Sequence, residues 1–62
     1  NAIAPGATPY EANETEINTD IPLKRTGTPM DQATAAIYLA SEESSWMTGQ
    51  IMTIDGGQSL SF

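Results

Sequence analysis

The sequence contains neither cysteine nor histidine, and its only basic residues are Lys24 and Arg25. Each absence removes a way of working. Without cysteine no disulfide can staple a small fold, and without cysteine or histidine the usual structural metal sites have no ligands. Eight acidic residues against two basic ones leave a formal net charge of −6. A surface of that sign repels phosphates, so nucleic acid is not an expected partner. Apolar runs are also short. None approaches the roughly 20 residues that span a bilayer, and the opening Asn1-Ala2-Ile3-Ala4-Pro5-Gly6 shows no basic leader before a long apolar region. No membrane role is expected, and the lack of cysteine fits a cytoplasmic location.

The chain has 62 residues, enough for one small domain at most. A chain of this size buries only roughly 60% of the surface its unfolded form exposes. With disulfides and metal excluded, a partner is the remaining source of stability. Ile3 lies between two alanines, and Pro5-Gly6 stops any regular element, so residues 1–6 read as the end of a strand and a turn. No methionine precedes them. The expectation is a piece of a larger protein, whose N-terminal part supplies the missing packing.

What is present centres on Thr28 to Gly57. Thr28-Pro29-Met30-Asp31 places a hydroxyl at the N-cap, proline at the first helical position and a carboxylate three residues after the cap. Ala33, Ala36, Ile37 and Ala40 follow at helical spacing and are expected to form the buried face. The helix, residues 28–45, should end between Glu42 and Ser45, where the apolar pattern stops. Trp46 and Met47 then read as a local apolar cap, with Trp46 a packing residue or a subunit contact. Ile51, Met52 and Ile54, between glycines, predict a strand covered on both sides within residues 49–57. Two strands joined through one helix are expected to run parallel, which makes the fold class α/β.

Residues 7–27 are polar and acidic, with Glu11, Glu14, Glu16 and Asp20, and read as a surface connection. Thr8-Pro9-Tyr10-Glu11 repeats the helix-start chemistry and predicts a short helical turn. A connection this long is usually a functional lid or a disordered segment.

Four pieces in order, Asn1-Ala2-Ile3-Ala4-Pro5-Gly6, Arg25-Thr26-Gly27-Thr28-Pro29-Met30-Asp31, Tyr38-Leu39-Ala40-Ser41-Glu42-Glu43-Ser44-Ser45-Trp46-Met47-Thr48-Gly49-Gln50 and Ile54-Asp55-Gly56-Gly57, give the chain its identity. Together they resemble the C-terminal part of the classical short-chain dehydrogenase/reductase family. The resemblance implies a strand-loop-helix-strand piece of a Rossmann-type, doubly wound parallel sheet. It casts residues 1–6 as a strand end with its Pro-Gly turn, 7–27 as the substrate loop, 28–45 as the last helix, 49–57 as the last strand and turn, and 58–62 as a tail reaching across a subunit interface. By the same resemblance Pro5, Gly6, Ala7 and Thr8 form the nicotinamide-side wall for NAD or NADP, with main chain at Ala7 and Thr8 meeting the carboxamide. The Thr8 hydroxyl either supports the cofactor or caps a short helix. Tyr10 either lines the substrate pocket or lies on the surface. Asp55-Gly56-Gly57 reads as a structural turn.

The family's catalytic serine, tyrosine and lysine and its glycine-rich phosphate loop have no counterpart here. Tyr10 and Tyr38 are followed four residues on by Glu14 and Glu42 rather than lysine. The expected function is therefore a share in an NAD(P)-dependent enzyme that interconverts an alcohol and a ketone on a sugar, secondary alcohol or 3-oxoacyl substrate. A homodimer or homotetramer is implied. A non-catalytic relative serving as a binding or scaffolding subunit is the alternative, and an acidic disordered peptide a third.

Overall fold

The structure, a computed structural model, describes residues 1–9 and 16–60. In chain order the elements are strand β1 (Ala2–Pro5), helix α1 (Pro29–Ala40), a 3-10 turn (Glu42–Ser44) and strand β2 (Ile51–Ile54). The strands pair in parallel, with Ala2 opposite Ile51 and Pro5 opposite Ile54. This is the α/β arrangement expected of two strands linked through a helix. Asn1 fixes the start of the ladder from its side chain: Oδ1 accepts from the Gln50 N–H at 2.9 Å, and Nδ2 donates to the Met47 carbonyl at 3.0 Å.

Helix α1 begins as its sequence dictates. Thr28 is extended at φ −116° and ψ 160°, its hydroxyl accepts from the Asp31 N–H at 3.3 Å, and the Asp31 carboxylate accepts from the Thr28 N–H at 2.8 Å. Two orphan donors are thereby satisfied. The end comes earlier than residues 42–45. Ser41 leaves the helix at φ −97° and ψ 165°, and both its N–H and its hydroxyl bond the Tyr38 carbonyl, at 3.1 and 2.6 Å. Serine hydroxyls compete with the helical ladder for carbonyls. Buried Ser44 repeats the competition, donating to the Leu39 and Ser41 carbonyls at 3.0 and 3.1 Å, and closes the separate 3-10 turn.

The helical period is right but its phase is corrected. Ala33, Ala36, Ile37 and Ala40 are exposed, whereas Gln32, Ala35 and Leu39 are half-buried on the side where α1 packs on β1. Spacing alone identifies a stripe, and the sheet decides which stripe it covers. Strand β2 is covered on one face only, with Met52 and Ile54 half-buried and Ile51 and Thr53 exposed, whereas in β1 Ile3 and Ala4 are both half-buried. Trp46, expected as a packing residue or a subunit contact, is 100% exposed.

The acidic connection is mostly exposed, yet it carries a buried residue. Ile21, 2% exposed, is the only buried apolar residue among those described. The Thr26 N–H bonds the Glu16 carbonyl at 2.9 Å, the Asn18 N–H bonds the Lys24 carbonyl at 3.1 Å, and Ile17 bridges Arg25 antiparallel. Residues 16–26 therefore double back as a narrow antiparallel loop with Ile21-Pro22-Leu23 at its tip. That tip seats on Gly56-Gly57, where the Leu23 N–H bonds the Gly56 carbonyl at 3.1 Å. The expected helical turn, Tyr10, Glu11 and Glu14 fall outside the described residues, as do Ser61 and Phe62 of the tail.

Among the described residues Ile37, Ile51 and Trp46 are large apolar side chains left exposed.

Candidate functional site

Because β1 and β2 run in the same direction, their carboxyl ends lie side by side at Pro5 and Ile54. Ligand sites in parallel sheets form beyond such ends. Two turns emerge there in contact, Gly6-Ala7-Thr8 from β1 and Asp55-Gly56-Gly57 from β2. The Gly6 N–H extends the ladder by bonding the Ile54 carbonyl at 3.1 Å. A Cβ on Gly6 would stand 2.5 Å from the Asp55 Cβ and 2.8 Å from its Cα. No other residue fits.

Asp55 builds the second turn. Its Oδ1 accepts from the Gly57 N–H at 2.9 Å and its Oδ2 from the Ser59 N–H at 2.8 Å, while Gly56 and Gly57 take φ of 63° and 93°. Hydrogen bonds from the Ser59 hydroxyl, and then from the Ser59 and Gly57 N–H groups, hold its carboxyl below the usual range. The Asp-Gly-Gly segment is thus a structural turn, as its composition suggested. It also directs Gln58 back toward β1, where the Gln58 Oε1 accepts from the Ala7 N–H at 2.9 Å.

Between the turns and the start of α1 lies a cavity of about 130 Å³, with Gly6, Ala7, Thr8, Arg25, Asp31 and Gln32 in its wall. Gln32 joins helix to turns: Nε2 donates to the Ile54 carbonyl at 3.0 Å and to the Thr8 hydroxyl at 3.4 Å. Its Oε1 is buried without a partner among the described residues. The Thr8 hydroxyl donates in turn to the Gly6 carbonyl at 3.1 Å, and the Ala7 carbonyl accepts from the Gly27 N–H at 2.8 Å. On the outer side a more open depression of about 360 Å³ is bounded by Pro5, Gly6, Ala7, Asp55, Gln58 and Ser59. Gly6 and Ala7 therefore border both hollows, with Thr8 on the first and Pro5, the last residue of β1, on the second. The segment in which Thr8 would act as a cap lies outside the described residues.

Arg25 closes the far wall. Its Nη1 and Nη2 donate to Asp31 Oδ2 and Oδ1 at 2.8 and 3.3 Å, and Nη1 also reaches the Thr26 carbonyl at 3.0 Å. The two side chains are 43% and 31% exposed, so the attraction is screened and small in itself. Its two-point geometry still fixes the loop against the helix start. The Arg25 hydrogen bonds, followed by the Thr28 N–H, hold the Asp31 carboxyl well below the usual carboxylate range.

A pH dependence follows. The folded-state value lies below the unfolded one, so the contribution of ionised Asp31 is complete above the unfolded pKa of about 3.9. It declines as pH falls from there toward the folded value. Melting temperature followed by circular dichroism should drop from about pH 5 downward, and less so in Asp31→Asn, which has no carboxylate to titrate. Identical acid profiles for the two proteins would remove Asp31 from the account.

Arg25, Gln32 and Gln58 did not emerge as site residues from sequence. Two of them left a trace: Gln32 is a polar residue directly after the capping carboxylate, and Gln58 directly follows Asp-Gly-Gly. Nothing in the spacing of Arg25 and Asp31 announces their pairing.

A family model described as enoyl-(acyl carrier protein) reductase matches residues 1–59. An uncharacterized oxidoreductase of Mycobacterium tuberculosis is 44% identical over 66 residues, covering 94% of this chain and 27% of that protein. The 7alpha-hydroxysteroid dehydrogenase of Escherichia coli K12 is 42% identical over 65 residues, covering 92% of this chain and 26% of its own length. A 3-oxoacyl-acyl-carrier-protein reductase of Thermotoga maritima is 45% identical over 65 residues, with coverages of 92% and 26%. The chain thus spans about a quarter of the length of these relatives. No solved structure matches at a significant level.

Proposed function

Because the chain belongs to the short-chain dehydrogenase/reductase family, we propose that it supplies the nicotinamide-side wall, substrate lid and a subunit interface of an NAD- or NADP-dependent oxidoreductase. The whole protein interconverts an alcohol and a ketone in the cytoplasm. This segment completes a Rossmann-type sheet by docking on the N-terminal part of the same domain. The observation that carries the reading is the meeting of the two turns at the carboxyl ends of parallel β1 and β2, where Gly6 lets main chain come within side-chain distance of Asp55.

The residues fit a nicotinamide. Its carboxamide needs main-chain donors and acceptors, and the Ala7 N–H already carries a carboxamide oxygen, that of Gln58, at 2.9 Å. When bound, the dinucleotide supplies hydride exchange with the substrate carbon. The chain's own part is to orient and enclose. Pro5 and Gly6 shape the approach, Ala7 and Thr8 present backbone polar groups, and residues 16–26 form the described part of the lid that limits water. Proton transfer falls to a serine, tyrosine and lysine in the N-terminal part. Exposed Ile51, Ile37 and Trp46 supply the apolar surface for the remainder of the domain or for a neighbouring subunit, in a homodimer or homotetramer.

Native mass spectrometry of the undissociated protein, followed by titration with NADH and NADPH, tests this. The expected result is a larger mass than 6.6 kDa, saturable dinucleotide binding and, with NAD+ or NADP+ supplied as hydride acceptor, oxidation of a secondary alcohol to the ketone. Binding without turnover of any alcohol would favour the scaffolding relative. A cooperatively folded chain standing alone, or an assembled protein that binds neither dinucleotide, overturns the reading.

A further inference from the structure

Gln58 belongs to the tail rather than to the loop it touches. Its N–H closes the turn on the Asp55 carbonyl at 3.0 Å, and the two Asp55 carboxylate bonds to Gly57 and Ser59 hold the backbone on either side of it. From that anchor its side chain reaches Ala7, 51 residues away in sequence. Its Oε1 also lies close enough to Gly6 that a Cβ there would come within 2.9 Å of it. The Ala7 N–H is a single donor, and the oxygen on it is that of a primary carboxamide. Nicotinamide carries the same group. Two carboxamides cannot hold one N–H at full strength, so they exclude one another.

We propose, on the premise of the dinucleotide site above, that Gln58 is an internal occupant of the Ala7 N–H which the cofactor's carboxamide displaces. In the cofactor-free protein it satisfies the exposed amide and ties the tail to the loop. In the complex the Gln58 side chain is released, while the Asp55 bonds to Gly57 and Ser59 still hold its backbone. Gln58 is then a positioning residue that sets cofactor affinity through a bond broken on binding.

Gln58→Ala in the full, assembled protein tests this, with NADH, NADPH and ADP-ribose as probes by isothermal calorimetry. ADP-ribose keeps the adenosine and pyrophosphate but has no nicotinamide. With no internal bond to break, the variant should bind its preferred dinucleotide about five-fold more tightly, the equivalent of one neutral hydrogen bond, and ADP-ribose as wild type does. The Ala7 amide should exchange hydrogen faster than wild type without cofactor, and equally slowly with it. Gln58→Glu provides a second arm should Gln58→Ala fold poorly. Its carboxylate is a stronger acceptor, and the ratio of dinucleotide to ADP-ribose affinity should fall. An unchanged ratio in either variant, with wild-type dinucleotide binding intact, overturns the role of Gln58 and leaves the cofactor site standing. Absence of dinucleotide binding in wild type and variants alike overturns the site itself, and the displacement with it.

Discussion

Replacing Gly6 by alanine should lower the stability of the assembled protein by about 3 kcal/mol, the upper end of the usual range for overpacking, and weaken dinucleotide binding with it. The new methyl group would meet the Asp55 Cβ at 2.5 Å and the Asp55 Cα at 2.8 Å. A flexible side chain could swing away from such a contact at little cost, but here the obstacle includes main chain. To make room the two turns must part, which stretches the Gly6 N–H bond to Ile54 and the Ala7 N–H bond to Gln58. Backbone conformation is not the difficulty, since Gly6 is not among the glycines with positive φ. Urea denaturation and dinucleotide titration of the variant would measure both effects. Asp55→Gly relieves the Cβ contact but leaves the Cα in place, and it also removes the carboxylate bonds to Gly57 and Ser59. The added cost of Gly6→Ala should therefore be smaller in the Asp55→Gly background than in wild type, though not zero. Wild-type stability in Gly6→Ala would show that the turns are not held together as described.

Gly57→Ala should cost roughly 2–3 kcal/mol through a different combination. Gly57 takes φ +93°, a conformation that costs an ordinary residue about 1 kcal/mol or more. Its added Cβ would also lie 2.9 Å from Cγ and 3.0 Å from Cβ of the Pro22 ring. The two contributions are separable. Pro22→Ala removes the ring and should restore the steric part, while the conformational part persists. The structural consequence lies in the loop: residues 16–26 rest on this turn through Ile21, Pro22 and the Leu23 N–H, so Gly57→Ala should make the loop a site of faster proteolysis. Equal cleavage rates in variant and wild type, at equal global stability, would contradict a loop seated on Gly56-Gly57.

Both effects arise from contacts between residues far apart in sequence, and this marks the boundary of what could be read beforehand. The start of α1 was legible because its chemistry is local: Thr28, Pro29 and Asp31 act within four residues. The helix end was not. Ser41 and Ser44 could serve as helical residues or as competitors for carbonyls, and composition alone does not choose between those roles.

The strands, their parallel sense and the Asp-Gly-Gly turn were determined by sequence, since glycine spacing, short apolar runs and a connecting helix each act through neighbouring residues. Family membership was legible as well, from four motifs in order. Tertiary structure alone decided which helical stripe faces the sheet, placed Ile21 of an acidic stretch at the buried centre, and brought Gln58 to Ala7. A side chain buries or bonds according to what lies opposite it. For these residues the opposite partner is tens of positions away, where no local preference reaches.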